Sequence, residues 1–347
     1  MNAIVFDVLK TVGRGNALTV DAAEAFMDEL MAGNTTGIQT AAVLAAMAVR
    51  GETVEEIVGF ARAMRNHSIH MNAPVDVVDT CGTGGDGADT FNISTTAAIL
   101  AAAAGVPIAK HGNRAASSKS GSADVLTALG ARIDLTVEAG LQCLFDTNLC
   151  FLFAQLYHPA MKHAAEPRKQ LGFRTIFNIL GPLTNPAHAK RQVLGVFRED
   201  LVTKVADALL ALGSEHVMVV HGAGGIDEIS LQGETTVAEV LDGRVHTYTI
   251  CPEDVGLARA PVAALAGGDA MVNADILQRI LAGEKGPRRD VVVFNAGATL
   301  YVAGIAPDIE TGVRLAEQTI DDGRALQRLH QYIAMTQRLS PSEVANG

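Results

Sequence analysis

Residues 75–96 read Val-Asp-Val-Val-Asp-Thr-Cys-Gly-Thr-Gly-Gly-Asp-Gly-Ala-Asp-Thr-Phe-Asn-Ile-Ser-Thr-Thr: a short apolar strand, a glycine loop, and the hydroxyl-rich start of a helix. That order suits a phosphorylated ligand. Gly82, Gly84, Gly85 and Gly87 let backbone N–H groups approach a phosphate closely, and Asn92, Ser94, Thr95 and Thr96 stand where a following helix offers its free N–H groups. The plain alternative is a tight strand-to-helix turn with a capped helix. The glycines also fit G-x-G-x-x-G from Gly82 through Gly84 to Gly87. A dinucleotide site, however, wants an acidic residue about 20 positions further on. Here the next apolar run, Val106–Ala109, ends in Lys110-His111. Asp86 and Asp89 would also repel a pyrophosphate unless a divalent cation or a ribose hydroxyl lies between them. The loop therefore points to a sugar phosphate held with magnesium more than to a dinucleotide.

On the N-terminal side of this stretch the first 70 residues are helical by pattern. Capping boxes mark three starts, Asp21 with Glu24, Thr36 with Gln39 and Thr53 with Glu56. Gly33 and Gly51 suit the ends of the first two helices, and Pro74 follows the third. A small helical domain results, and one of this size often needs a partner surface. From residue 75 onward short β runs alternate with helices: Val75–Val78, Val106–Ala109, Val193–Phe197, Val217–His221 and Val291–Phe294. The fold class expected is α/β, with a mostly parallel sheet covered by helices. The alanine-rich stretch 97–104 reads as a tightly packed helix, the segment Ala115–Lys190 carries several helical stretches, and Ile309–Gln337 looks like a helix pair.

Bulk properties narrow the function. With 347 residues, two domains or one with a large insertion are expected. Apolar runs break well before the roughly 18 residues of a membrane span, and the start Met-Asn-Ala-Ile-Val-Phe-Asp has no leader pattern. A cytoplasmic enzyme without a membrane partner is expected. Cys81, Cys143, Cys150 and Cys251 lack C-x-x-C spacing, so neither zinc nor a disulfide framework is indicated. A net charge of −11 argues against a general nucleic-acid surface. An anionic substrate then requires local positive charge.

Lys110-His111-Gly112-Asn113-Arg114 supplies it, directly after the second strand, where an α/β sheet gathers ligands. Lys110 can neutralise phosphate, Arg114 can do the same or support the loop, and Gly112 allows close backbone approach. Ser117, Ser118, Lys119 and Ser122 continue the polar run. A second cluster, His221-Gly222-Ala223-Gly224-Gly225-Ile226-Asp227-Glu228, ends a strand with glycines and adjacent carboxylates. Asp227 and Glu228, with Ser94 from the first loop, could hold one or two magnesium ions, or could form a solvated acidic turn. A third region holds Gln155-Leu156-Tyr157-His158-Pro159-Ala160, then Arg168-Lys169, then Arg174-Thr175-Ile176-Phe177-Asn178-Ile179-Leu180-Gly181-Pro182-Leu183-Thr184-Asn185-Pro186, and reads as a hinge.

Taken in this order, the glycine loop with Asn92-Ile93-Ser94-Thr95-Thr96, the Lys110–Ser118 segment, His158-Pro159-Ala160, Arg174–Pro186 and Asp227-Glu228 resemble the anthranilate phosphoribosyltransferase family over nearly the whole chain. The resemblance implies a small helical domain (1–72, joined by part of 165–190) hinged to a larger α/β domain (73–347) that binds phosphoribosyl pyrophosphate. It implies transfer of the phosphoribosyl group to anthranilate in tryptophan biosynthesis, with pyrophosphate released, and a homodimer formed through the helical domain. For the donor it implies Gly82, Gly85, Asp86 and Thr90, then Asn92, Ile93, Ser94 and Thr95. Lys110, Gly112, Asn113, Arg114, Ser117, Ser118 and Ser122 complete that set. Anthranilate would meet Gly82, His111, Asn113, His158, Arg168 and Gly181, with Arg168 on its carboxylate. Lys110, His111 and Asn113 are the catalytic candidates, and Ser94, Asp227 and Glu228 would serve magnesium, two ions per site. Two other readings remain: a pyrimidine nucleoside phosphorylase, which needs no Asp227-Glu228 metal pair, and a non-catalytic nucleic-acid-binding relative, which the acidic chain disfavours.

Overall fold

The computed structural model describes residues 2–115 and 119–340. Helices α1–α4 come first (Ala3–Val12, Val20–Met31, Gly37–Arg50 and Val54–Asn66). Thr36 with Gln39 and Thr53 with Glu56 form reciprocal capping boxes at the starts of α3 and α4. The expected box at Asp21 does not form. Thr19 caps α2 instead, its Oγ1 accepting the Ala22 N–H at 3.3 Å, and Asp21 already lies in the first turn. Glu56 also ties the bundle together: fully buried, it accepts the Leu18 N–H at 2.9 Å and pairs with Arg50 at the end of α3.

Beyond the bundle, strands β1–β5 (Val78–Gly82, Ile108–Gly112, Leu149–Phe153, Arg191–Gly195 and His216–Gly222) run parallel. They are followed by β6 (Thr235–Leu241) and β7 (Arg244–Ile250), which are antiparallel. The order across the sheet is β3-β2-β1-β4-β5-β6-β7. Helix α5 (Ile93–Ala103) follows β1; α6 (Ser122–Ala128) and α7 (Val137–Thr147) follow β2. The crossing from β3 to β4 carries α8 (Ala154–Tyr157), α9 (Lys162–Leu171) and α10 (Phe177–Leu180), and α11 (Leu201–Ala211) precedes β5. After β7 come α12 (Ala270–Leu281), α13 (Pro287–Val302), α14 (Ile309–Asp321) and α15 (Arg324–Leu339). Strand order reverses between β1 and β4, which opens a crevice at the carboxyl edge beside the glycine loop.

Four further expectations change. The first strand runs over Val78–Gly82 rather than Val75–Val78, so Gly82 ends the strand instead of opening the loop. Val291–Phe294 is not a strand but lies inside α13, a helix buried on nearly all sides and started by Pro287. Burial all round removes the amphipathic period, so a short apolar run reads alike in either state. Leu149–Phe153, inside a stretch expected to be helical, is the edge strand β3, entered through Asn148 in the left-handed region. The second strand also continues to Gly112, which places Lys110 and His111 within β2 rather than after it.

Side chains alternate across the sheet with period two. Val193, Met218 and Val220 enter one core with α5 and α12–α15; Leu194, Val217 and Val219 enter another. This second core also contains Phe26, Met47 and Phe60 of the bundle and Val205 of α11. The bundle core thus continues onto one sheet face. Arg65, at the end of α4, fastens the junction by donating to Leu183 O at 2.8 Å and Leu212 O at 3.3 Å. Among the described residues no helix is long and apolar enough to cross a membrane.

Candidate active site

The glycine loop leaves β1 with Gly84, Gly85 and Gly87 at φ +69°, +76° and +76°, a path that side chains with a Cβ rarely adopt. Its donors meet the acidic pair from the loop after β5. Gly84 N–H donates to Asp227 Oδ2 at 2.6 Å, and Ser94 N–H, in the first turn of α5, donates to Glu228 Oε1 at 3.0 Å. Asp227 comes so near the sheet because Gly195 of β4 is bare: a Cβ there would lie 1.6 Å from Asp227 O. Burial raises the pKa of both carboxyls; Asp86 adds repulsion at Asp227, and Asp227 does so at Glu228. Lys110, buried in β2, donates through Nζ to Thr80 O and lies 3.5 Å from Ser94 Oγ.

Crowded carboxylates that interact with a glycine loop fit a divalent cation, which would relieve their repulsion. Among the described residues no group of three His, Cys, Asp or Glu side chains is arranged to hold a metal alone. Magnesium takes one or two carboxylates and completes its shell with water and substrate phosphate.

Other expected donor residues are placed by their neighbours. Asn92 precedes α5 with both ends of its amide engaged: Oδ1 accepts from Asn273 Nδ2 at 3.0 Å, and Nδ2 donates to Ser120 O at 3.1 Å. Ile93 and Thr95 are buried in the first turn of α5. Thr90 bridges to Ala266, and Asp86 Oδ1 accepts the Ala88 N–H at 3.2 Å. Gly112 faces Ser122 Oγ and the Phe151 ring, with no room for a Cβ. Asn113 O accepts from Ser122 Oγ at 3.3 Å and from Ala123 N at 3.1 Å. Arg114 pairs with Asp124 at 2.9 Å, and so supports the loop. Asp89 pairs with Lys119. Ser117 and Ser118 lie outside the described residues.

At the end of β2 the His111 ring lies 5.1 Å from that of His158. His111 Nδ1 is 3.1 Å from Gly181 O, and the His158 ring bonds the Thr184 backbone. The Gly181 carbonyl can only accept, so the His111 imidazole carries its proton on Nδ1. Both Nε2 atoms are buried and without a protein partner among the described residues. Burial pulls the pKa of His111 down to about 3 and that of His158 to about 4. Two neutral rings thus present two lone pairs. Arg168, on α9, lies over the Phe177 ring at 4.9 Å with no ion-pair or hydrogen-bond partner for its guanidinium among the described residues. No described contact joins it to His111 or His158.

Sequence reading passed over several neighbours. Arg174 donates to Gly85 O and lies 4.2 Å from the Phe197 ring centroid, bracing the glycine loop from the hinge. Asp79, Asn185 and Gln192 form a buried polar group below His111. Asp79 was visible as a carboxylate inside an apolar strand, and Asn185 as an amide between prolines; nothing in spacing joined them.

Comparison with known proteins agrees with this architecture. The helical bundle domain of the glycosyl transferase family matches residues 6–68, and its a/b domain matches residues 74–326. An anthranilate phosphoribosyltransferase of Rubrobacter xylanophilus is 52% identical over 335 residues, 96% of this chain and 98% of that protein. The crystal structure of anthranilate phosphoribosyltransferase from Thermus thermophilus superposes with a TM-score of 0.91 at 45% identity, covering 95% of this chain and 99% of that one. The Saccharomyces cerevisiae enzyme in complex with PRPP and Mg does so with a TM-score of 0.89 at 29% identity, covering 98% and 99%. A helical bundle joined to a parallel sheet, a glycine loop facing paired carboxylates, and a full-length match at this identity have one outcome: the chain belongs to the anthranilate phosphoribosyltransferase family.

Proposed function

We propose that this chain transfers the 5-phosphoribosyl group of phosphoribosyl pyrophosphate to the amine of anthranilate, giving N-(5-phosphoribosyl)anthranilate and pyrophosphate in tryptophan biosynthesis. The observation that carries the reading is the pair of buried, neutral imidazoles with unpartnered Nε2 atoms at the end of the strand bearing Lys110. An aromatic amine is neutral at pH 7 and brings two N–H donors to such a pair. Held there, its nitrogen can attack ribose C1 without prior deprotonation. The C1–O bond to pyrophosphate breaks as the C–N bond forms, and the amine proton leaves late, to water or a histidine Nε2.

Negative charge builds on the departing pyrophosphate, where Lys110 and the N–H groups of the glycine loop and the first turn of α5 stabilise it. Asp227, Glu228 and Ser94 would hold magnesium, two ions per site, whose charge adds to that stabilisation when bound. The donor set is that given by the resemblance, from Gly82, Gly85 and Asp86 through Ser94 and Thr95 to Lys110 and Ser122. Arg168 offers its planar fork to the anthranilate carboxylate. Residues 1–72, with part of 165–190, act as the small domain that closes on 73–347 and excludes water from the activated sugar. The active form is a cytoplasmic homodimer.

Loss of anthranilate fluorescence on mixing the protein with phosphoribosyl pyrophosphate tests the reaction. Loss that requires magnesium and releases one pyrophosphate per anthranilate supports it. A folded protein that leaves anthranilate unchanged with magnesium present refutes it.

A further inference from the structure

We infer that Asp79 is a positioning residue for the anthranilate half of the site, acting through β2 and the 181–185 segment without touching either substrate. The inference rests on the function proposed above, and it starts from an interrupted ladder in the sheet. Strands β1 and β2 pair at Val78↔Ile108, whereas β1–β4 and β2–β3 each pair over five positions. Beyond Val78 the two strands stay side by side without ladder pairs, and side chains take over the hydrogen bonds that a ladder would make.

Asp79, fully buried, stands where ladder bonds are missing. Its Oδ1 accepts the His111 backbone N–H at 3.1 Å. Asn185 enters from the hinge segment, and its Nδ2 donates to Asp79 Oδ2 at 2.8 Å and to Ala109 O at 2.8 Å. Gln192 of β4 donates to Pro182 O at 2.8 Å and reaches Asp79 Oδ2 at 3.4 Å. The same short segment supplies the Gly181 carbonyl that fixes the proton of His111, and the Thr184 backbone beside the His158 ring. Asp79 therefore acts on His111 twice, at its backbone directly and at its ring through the segment that Asn185 pins. Lys110 has a separate hydrogen-bond anchor in Thr80 O and meets Asp79 only through charge, which Asn185→Ala leaves in place, so the donor half depends on Asp79 less directly.

Asp79→Asn keeps the shape but sets two amides face to face, and Asn185→Ala removes the wedge from the other side. Both are compared with the wild type by three measurements: kcat/KM for anthranilate, calorimetric binding of inorganic pyrophosphate with magnesium, and 15N spectra of labelled histidines. The expected result is a loss of about tenfold or more in anthranilate kcat/KM, with pyrophosphate affinity changed by less than about threefold. The Nε2 signal of His111, acceptor-like in the wild type, moves toward a tautomer-averaged value. Folded variants with near-normal anthranilate kcat/KM, or with parallel losses for both ligands, overturn the inference. If Asp79→Asn does not fold, Asn185→Ala decides. A wild type that does not consume anthranilate refutes the proposed reaction instead, and the histidine spectra then decide the role of Asp79 on their own.

Discussion

His111 and His158 stay neutral because burial holds them at about pKa 3 and about 4, where an exposed histidine has about 6.5. The consequence for stability has a definite sign. At pH 7 both states are neutral and the pair adds no pH dependence. As pH falls below about 6.5 the unfolded chain takes up protons that the folded rings refuse, so stability falls by up to about 1.4 kcal/mol per pH unit for each ring. The urea midpoint should therefore drop between pH 6.5 and 4.5, and less steeply in His158→Gln; an equal slope in the variant would show that this ring does not resist protonation. Arg168 gives a second test at this scale. Its guanidinium, unpaired among the described residues, lies on an aromatic face, and a bidentate carboxylate contact is worth about 1.5–3 kcal/mol. Arg168→Ala should raise the anthranilate KM by roughly 10- to 100-fold while leaving pyrophosphate binding nearly intact. An unchanged KM would remove the residue from the anthranilate site.

Among the elements, the glycine loop and the acidic loop after β5 meet because β4 has no side chain at Gly195. Gly195→Ala would drive a methyl into Asp227 O and push the paired carboxylates off the loop. Donor use should fall by at least about tenfold with circular dichroism unchanged, and pyrophosphate binding should lose its magnesium dependence. Retention of both would mean that the carboxylates are not held by this close approach. The same elements show what could be read from residue order. Loops rich in glycine, hydroxyls and charge at strand ends marked the candidate donor site, since their chemistry is local. Thr36 and Thr53 marked helix starts for the same reason. The β6–β7 hairpin was legible too, yet passed over: Asp242-Gly243, with both residues at positive φ, is the preferred two-residue turn between alternating strands. Val291–Phe294 could not be assigned by period, because a helix buried all round has no polar face to set one. The Asp79–Asn185 contact spans 106 positions, and only the folded sheet brings the two together.

For the whole molecule, the question left by the bundle is what covers its outer face. On α3, Ile38 and Val49 are 84% and 89% exposed. They lie eleven residues apart, close to three full turns, so both sit on one stripe about 16 Å long. Ala42 and Ala45 lie on the same stripe, and no charge interrupts it. On the neighbouring α1, Ile4 and Phe6 are also exposed, on either side of buried Val5. A solvated helix face of this length should carry polar residues, and a continuous apolar patch marks a surface meant to be covered. A second copy of the chain is the occupant that the homodimer proposal requires, since a two-fold axis can set one such patch against its equal. The double variant Phe6→Glu, Val49→Glu places charge on exposed apolar positions of both helices, where the bundle core is untouched. Sedimentation equilibrium at micromolar concentration should then give a monomer where the wild type gives a dimer, with helix content unchanged. Because the candidate site residues all lie between Gly82 and Glu228 of one chain, the monomer should keep measurable turnover. A variant that remains dimeric would place the interface elsewhere. A monomer that folds but loses all turnover would mean that pairing holds the bundle in the position from which it closes.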